Sequence, residues 1–236
     1  MGSGTRRTFL VGAAGTGVTM LAAGCATVRT GVDRALGNAP ADDVPAAERL
    51  LRAEALHGRL ILVDEEIGRR LSGRATVKPS VITGTAAIVR RFVEDYHAKA
   101  EEELVFPRLE HVAQLAGVLP VLHAEHTRCR ALTDEILQLA AGKRTKADPL
   151  LRTIQAYVRL ARTHETREAT LVIPALHQLS RRDYDALGDA LADREHRLFG
   201  PDGFTTISDQ ITQLEHDLGM DELPTLAKKR ARAKSH

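Results

Sequence analysis

Apolar residues recur along most of this chain at the three-and-four spacing of an amphipathic helix. From Pro45 onward, Leu50, Leu51, Leu56, Leu60, Ile61, Val63 and Ile67 keep that spacing up to Ser72-Gly73. The pattern predicts a first helix with Pro45 in its opening turn and Asp43 as its cap. A second helix is predicted from Pro79-Ser80 through Ile88, Phe92 and His97. It should end between Pro107 and Leu115, because Pro107 disturbs the bonding of the turn before it. A third follows Gly117 and Pro120, carries Leu122, His126, Leu132, Ile136 and Leu139, and stops at Gly142. A fourth opens at Asp148-Pro149 and runs through Ile154, Val158, His164 and Leu171 to about Ser180. Shorter helices are expected over residues 183–198 and 208–218. No stretch alternates with period two for long enough to predict a strand. Four long helices with short connections predict an all-α, up-down-up-down four-helix bundle, completed or capped by the shorter C-terminal helices.

The polar positions on these helices repeat. Residues 97–107 and 164–174 both read His-x-x-x-Glu-x-x-Leu-Val-apolar-Pro. Positions i and i+4 share a helix face, so His97 with Glu101 and His164 with Glu168 each aim an imidazole and a carboxylate the same way. The first and third helices repeat as well. Aligned on His57 and His126, both have Arg at +2 (Arg59, Arg128), an acid at +8, Glu at +9 and Ile at +10. The intervals agree, 97 − 57 = 40 and 164 − 126 = 38. The chain is thus two pseudo-repeated helical hairpins, each supplying a lone His and then a His-x-x-x-Glu.

Composition supports helices: aromatic residues are 3% of the chain and Trp is absent, where β-rich folds would be enriched in aromatic and β-branched residues. A net charge of +2 is too small for a nucleic-acid binder, and the basic stretch Lys228 to Lys234 reads as a solvated end. The N-terminus reads as an address. Thr5-Arg6-Arg7-Thr8-Phe9-Leu10 resembles a twin-arginine export signal, followed by an apolar segment too short to span a bilayer comfortably. Leu21-Ala22-Ala23-Gly24-Cys25 resembles a lipoprotein cleavage site with Cys25 as the acylated residue; a plain cleaved signal is the alternative. The expected organisation is a signal over residues 1–25, a linker over 26–44, a four-helix domain over 45–200, and a helical extension with a basic tail over 201–236. The protein would be exported to the cell envelope and held at the membrane by its lipid, or otherwise be periplasmic or extracellular. Cys129 would then have no disulfide partner.

The inward set is His57, His97, Glu101, His126, His164 and Glu168. Four imidazoles and two carboxylates exceed the four ligands of a structural zinc. The two halves suggest two metals, each with about two histidines, and both carboxylates placed to bridge. Mixed nitrogen and oxygen ligation suits iron, with manganese or zinc allowed by ligand type. Ferritin-like bundles use Glu-x-x-His instead, with glutamates on the other helices. His123 aligns with Glu54 in the repeat, and both are placed to orient a ligand imidazole or exchange protons with it. Cys129, three residues after His126, should face inward, as an apolar filler or as a redox neighbour of the metals. Tyr157, two turns before His164, would line the pocket or pack the core. Glu102, Glu103 and Glu165 fall off the inward stripe and read as a solvated face. Arg59 and Arg128 would pair with acids at the bundle end, and His111, His177, His196, His216 and His236 are expected on the surface.

This order of motifs, with both Leu-Val-x-Pro tails, resembles the hemerythrin-like HHE cation-binding family over residues 46–200. The resemblance implies a four-helix bundle with a non-haem di-iron centre. Oxygen-carrying hemerythrins proper have an additional histidine on the third helix and an Asp on the fourth. This chain has Glu168 and four matching histidines, which makes it more similar to the branch that includes iron-centre repair proteins. The expected function is binding of, or reaction with, dioxygen, nitric oxide or peroxide, served by an unidentified electron donor. The alternative is a metal-binding, sensing or iron-handling module without turnover, with the helix beyond Gly203 as a partner surface.

Overall fold

The computed structural model describes residues 44–141 and 147–220. The export signal, Cys25, the linker as far as Asp43, Gly142 and the basic tail lie outside the described residues. Helix α1 spans Ala46–Ser72, with Pro45 immediately before it, and closes at Gly73. Helix α2 is one continuous run over residues 79–109, opening with Pro79 at its first position. Helix α3 spans Leu119–Ala141. Helix α4 runs over residues 147–178. Helices α5 (Arg181–Phe199) and α6 (Gly203–Asp217) follow. The Ser180 hydroxyl caps α5 by accepting from the Asp183 N–H, which satisfies one of its free amides. Among the described residues every regular element is helical, and no helix is long and apolar enough to cross a membrane.

The helix carrying Pro107 ends at Leu109, within the expected bounds of Pro107 to Leu115, and it passes through the proline without a break. The turn before it is π-helical over Glu101–Val105, and the Phe106 N–H reaches back five residues to the Glu101 carbonyl. Helix α4 does the same: Glu168–Val172 is π-helical, and the Ile173 N–H bonds the Glu168 carbonyl ahead of Pro174. A proline has no N–H to give and its ring crowds the carbonyl four residues back. The preceding turn therefore widens by one residue instead of breaking. Both wide turns begin at the carboxylate of a His-x-x-x-Glu motif. A further π-helical stretch, Val89–Ala98, carries His97.

Two apolar clusters fill the interior. One holds Leu56, Leu60 and Ile67 of α1, Phe92 and Tyr96 of α2, Leu132 of α3 and Ile154 and Tyr157 of α4. The other holds Leu50 of α1, Val105 and Phe106 of α2, Leu122 of α3 and Val172 and Leu176 of α4. Between them lies a layer of buried polar side chains. Helix α5 packs Leu187 and Leu191 into the second cluster. Helix α6 begins five residues earlier than the apolar spacing predicts and packs Ile207, Ile211 and Leu214 into the first cluster. Its apolar face is therefore covered by the bundle. Arg59 fastens it further, with a two-point ion pair to Glu215 at 2.9 and 2.6 Å.

Candidate metal centre

The polar layer gathers one set of side chains from four helices. His97 and Glu101 come from α2, His126 from α3, His164 and Glu168 from α4, and Glu54 from α1. Their ligand atoms form two groups, each with all atoms within 4.8 Å of one another: Glu101, His126, His164 and Glu168 in one, and Glu54, His97, Glu101 and Glu168 in the other. Glu101 and Glu168 belong to both. Within the motifs, His164 Nε2 stands 2.8 Å from Glu168 Oε1 and His97 Nε2 3.6 Å from Glu101 Oε1, so the i, i+4 pairing holds beside the wide turns. Across the layer, His126 Nε2 lies 3.0 Å from His164 Nε2 and 3.3 Å from Glu101 Oε2. His97 Nε2 lies 3.3 Å from Glu54 Oε1.

Glu101 and Glu168 are 1% and 0% exposed, and their oxygens stand 2.8 to 3.6 Å from the imidazole nitrogens of His164, His126 and His97. Buried carboxylates are costly unless cationic or hydrogen-bonding partners offset them. A divalent cation at each group would satisfy these oxygens, so the residues present fit a pair of metal ions. The protein's own electrostatics show the same tension. Burial pushes Glu54 up to about 8, and the Glu168 charge adds to it. Burial alone would depress His97, but the Glu101, Glu54 and Glu168 carboxylates outweigh it and lift it to about 10. His164 rises to about 9 by the same balance, with Glu168 leading the opposition to burial. Cations entering here would displace protons.

A second ring of carboxylates holds the imidazoles from behind. His126 Nδ1 donates to Glu102 Oε1 at 2.8 Å, and Arg130 holds the same oxygen at 3.0 Å. His164 Nδ1 donates to Glu125 Oε2 at 3.1 Å, and Arg167 pairs with the other oxygen of Glu125. Such contacts fix the ring and leave Nε2 free to ligate. Glu102 is therefore not on a solvated face as its stripe position suggested, because it reaches across to α3. Glu165 is likewise mostly covered, its side chain 19% exposed and lying 3.5 Å from His57 Nδ1, and burial raises it to about 7. Glu125 has no counterpart among the sequence expectations; its adjacency to His126 was the only signal.

Five of the six predicted ligands converge: His97, Glu101, His126, His164 and Glu168. His57 belongs to neither group. It is buried, its Nε2 shares a 3.1 Å hydrogen bond with the Tyr157 hydroxyl, and burial holds its pKa well below the ordinary value. Glu54, one turn earlier and expected only to orient a ligand, stands in one of the two groups. His123 does not share that orienting role. It is exposed and packs edge-on against Phe106 at 5.1 Å, while Phe106 also stacks over the His126 ring at 5.9 Å. That aromatic ring separates His123 from the layer. Cys129 is buried beside the site, and burial raises its thiol to about 12, which keeps it protonated. Tyr157, Cys129, His57 and three ligand histidines line a cavity of about 20 Å³, room for one water-sized molecule.

Residues 53–176 match the family described as Hemerythrin HHE cation binding domain. Uncharacterized proteins of Mycobacterium bovis and Mycobacterium tuberculosis are each 36% identical over 191 residues, covering 78% of this chain and 75% of the relative. No solved structure matches the chain.

Proposed function

The chain belongs to the hemerythrin HHE cation-binding domain family, and from that premise we propose that it is a non-haem di-iron protein that binds or reacts with dioxygen, nitric oxide or peroxide. The observation that carries the reading is the pair of candidate ligand groups sharing the buried carboxylates of Glu101 and Glu168. Shared carboxylates bridge two ions, whereas one zinc would need only four ligands in all. Nitrogen and oxygen donors without thiolate suit iron over softer metals. Bound iron would supply a coordination site for a small ligand and electrons to exchange with it. The protein's own residues do the rest. Glu102 and Glu125 fix the imidazoles, and the apolar clusters keep bulk water out.

The two apolar clusters also support an up-down-up-down bundle. Along the chain, α1 passes from the second cluster to the first, α2 returns, α3 repeats α1 and α4 repeats α2. Export by the twin-arginine route and lipid attachment at Cys25 would place this site in the cell envelope. That route carries folded proteins, so iron could be loaded before release. The mass of the mature protein, with and without Cys25→Ala, tests the anchor.

Metal analysis of the purified protein should find two iron ions per chain and absorption that changes under oxygen or nitric oxide. Protein that takes up no iron would sink the reading. Consumption of peroxide or nitric oxide by the wild type but not by His97→Ala would assign turnover; equal rates would leave a binding module.

A further inference from the structure

We propose that the outer face shared by α3 and α4, carrying Val121, Arg128, Arg159, Arg167 and Leu171, is the docking surface for an acidic one-electron carrier protein. The inference rests on the di-iron reading above and gives its electron donor a place to bind. In each encounter the carrier loses one electron and one ferric ion of the site becomes ferrous.

The register of the two helices assembles this face. Glu125 of α3 accepts from His164 Nδ1 at 3.1 Å and pairs with Arg167, both on α4, while His126 Nε2 meets His164 Nε2 at 3.0 Å. The helices therefore run antiparallel at this level. Val121, one turn before Glu125, falls near the level of Leu171, one turn after Arg167. Both are exposed, at 41% and 39%. Going the other way along the seam come Arg128 and Arg159, also exposed. Among the described residues neither arginine side chain makes an ion pair or hydrogen bond. Arg128 thus departs from the expectation that it pairs with an acid at the bundle end, as Arg59 does with Glu215.

The face is short of negative charge. Glu125 is buried and already met by Arg167. Glu135 lies two turns beyond Arg128, about 10 Å along the axis, outside the roughly 8 Å over which exposed charges act at physiological salt. Asp148 sits at the far end of α4. Two apolar side chains flanked by uncompensated arginines suit a small, weak and fast encounter with an acidic partner.

The face also has a bonded route to the site. His164 is joined through Nδ1 to Glu125, and Glu125 to Arg167, whose side chain is 36% exposed. The matching route from His126 through Glu102 to Arg130 emerges beside Arg90 and Asp134, which pair with each other. Charge complementarity therefore favours the α3–α4 exit.

A small acidic [2Fe–2S] ferredoxin is the probe. Added to the metal-free full chain at low salt, it should shift amide resonances on the outer residues of α3 and α4, less so as salt is added. Arg128→Glu/Arg159→Glu should weaken binding at least about tenfold, and so should Val121→Glu. Arg128→Lys/Arg159→Lys keeps the charge and should bind within about threefold of wild type. With iron loaded, reduced ferredoxin should reduce the wild type at least about tenfold faster than the Glu double variant, while uncharged hydroquinone reduces both equally. Circular dichroism matching the wild type shows that these exposed substitutions leave the fold intact. No ferredoxin binding by the wild type, equal binding by the Glu double variant, or shifts centred on another face would each overturn the proposal. So would binding to phosphatidylglycerol vesicles, lost in the Glu double variant, without binding of ferredoxin, because the face would then meet a membrane. A chain that takes up no iron would overturn the di-iron reading and electron delivery together, even if ferredoxin still docked.

Discussion

Asp64 sits on the buried face of α1 at 5% exposure, and burial raises its carboxyl from an ordinary 3.8 to about 7. The folded protein therefore holds a proton there that the unfolded chain releases near pH 4. Between those two values the native state binds more protons, so stability falls as pH rises through the window and levels off above pH 7. Asp64→Asn should remove this loss. The variant is expected to be more stable than wild type at pH 8 by on the order of 2–4 kcal/mol, and nearly equal at pH 4. Chemical denaturation at the two pH values measures it; equal gains at both would show that packing rather than charge is responsible. Individual side chains also mark where sequence reading ran out. His97, Glu101, His164 and Glu168 were legible because a duplicated i, i+4 spacing fixes a face without knowledge of the neighbours. Glu102 and Glu125 were not, because each works on an imidazole of a different helix, and their partners depend on how those helices are rotated. His57 and Glu54 lie one turn apart on the same face, and spacing alone could not say which one Tyr157 would draw away.

At the scale of elements, the Leu-Val-x-Pro tails were visible in the sequence, but their effect was not. Helical periodicity assumes a constant turn, whereas Pro107 and Pro174 each widen the turn that begins at a ligand carboxylate. Helix α6 was read as starting late because Thr205 and Thr206 hide the approach to Ile207, and its seating on α1 through Arg59 and Glu215 is a contact 156 residues apart in the chain. The wide turns have a testable cost. Pro174 is exposed, so Pro174→Ala loses little packing and restores a helical N–H. Proline in a helix interior is unfavourable by roughly 3 kcal/mol relative to alanine, and part of that is already relieved by the π-helical turn. The metal-free variant should therefore melt a few degrees higher, at about 2–4 °C per kcal/mol for a chain of this size. Closing the turn rotates Glu168 away from its shared position, so metal affinity should fall by at least about tenfold. Thermal melts and metal competition measure the two effects. Unchanged affinity with a raised melting temperature would show that the wide turn does not serve the site.

For the whole molecule, the polar layer divides the apolar core in two, and its candidate ligands come from all four long helices. That layer sets the buried carboxylates of Glu101 and Glu168 against imidazoles, so cohesion between the two clusters depends on how its charges are balanced. A cation that binds only the folded state stabilises it by about 2.7 kcal/mol when present at 100 times its dissociation constant. At about 2–4 °C per kcal/mol, Co(II) or Fe(II) should raise the melting temperature by roughly 5–10 °C, and a chelator should reverse the rise. Replacing both carboxylates, Glu101→Gln/Glu168→Gln, should abolish that rise. The metal-free variant keeps the imidazoles of His97 and His164 without two of the carboxylates that hold them charged, so its metal-free stability should fall at neutral pH. A structural role alone predicts the same fall but no rise of the wild-type melting temperature with metal. Differential scanning calorimetry of both proteins, with metal and with chelator, decides between them. The outcome also says whether the bundle keeps Glu101 and Glu168 buried at its centre for cations or for the fold alone.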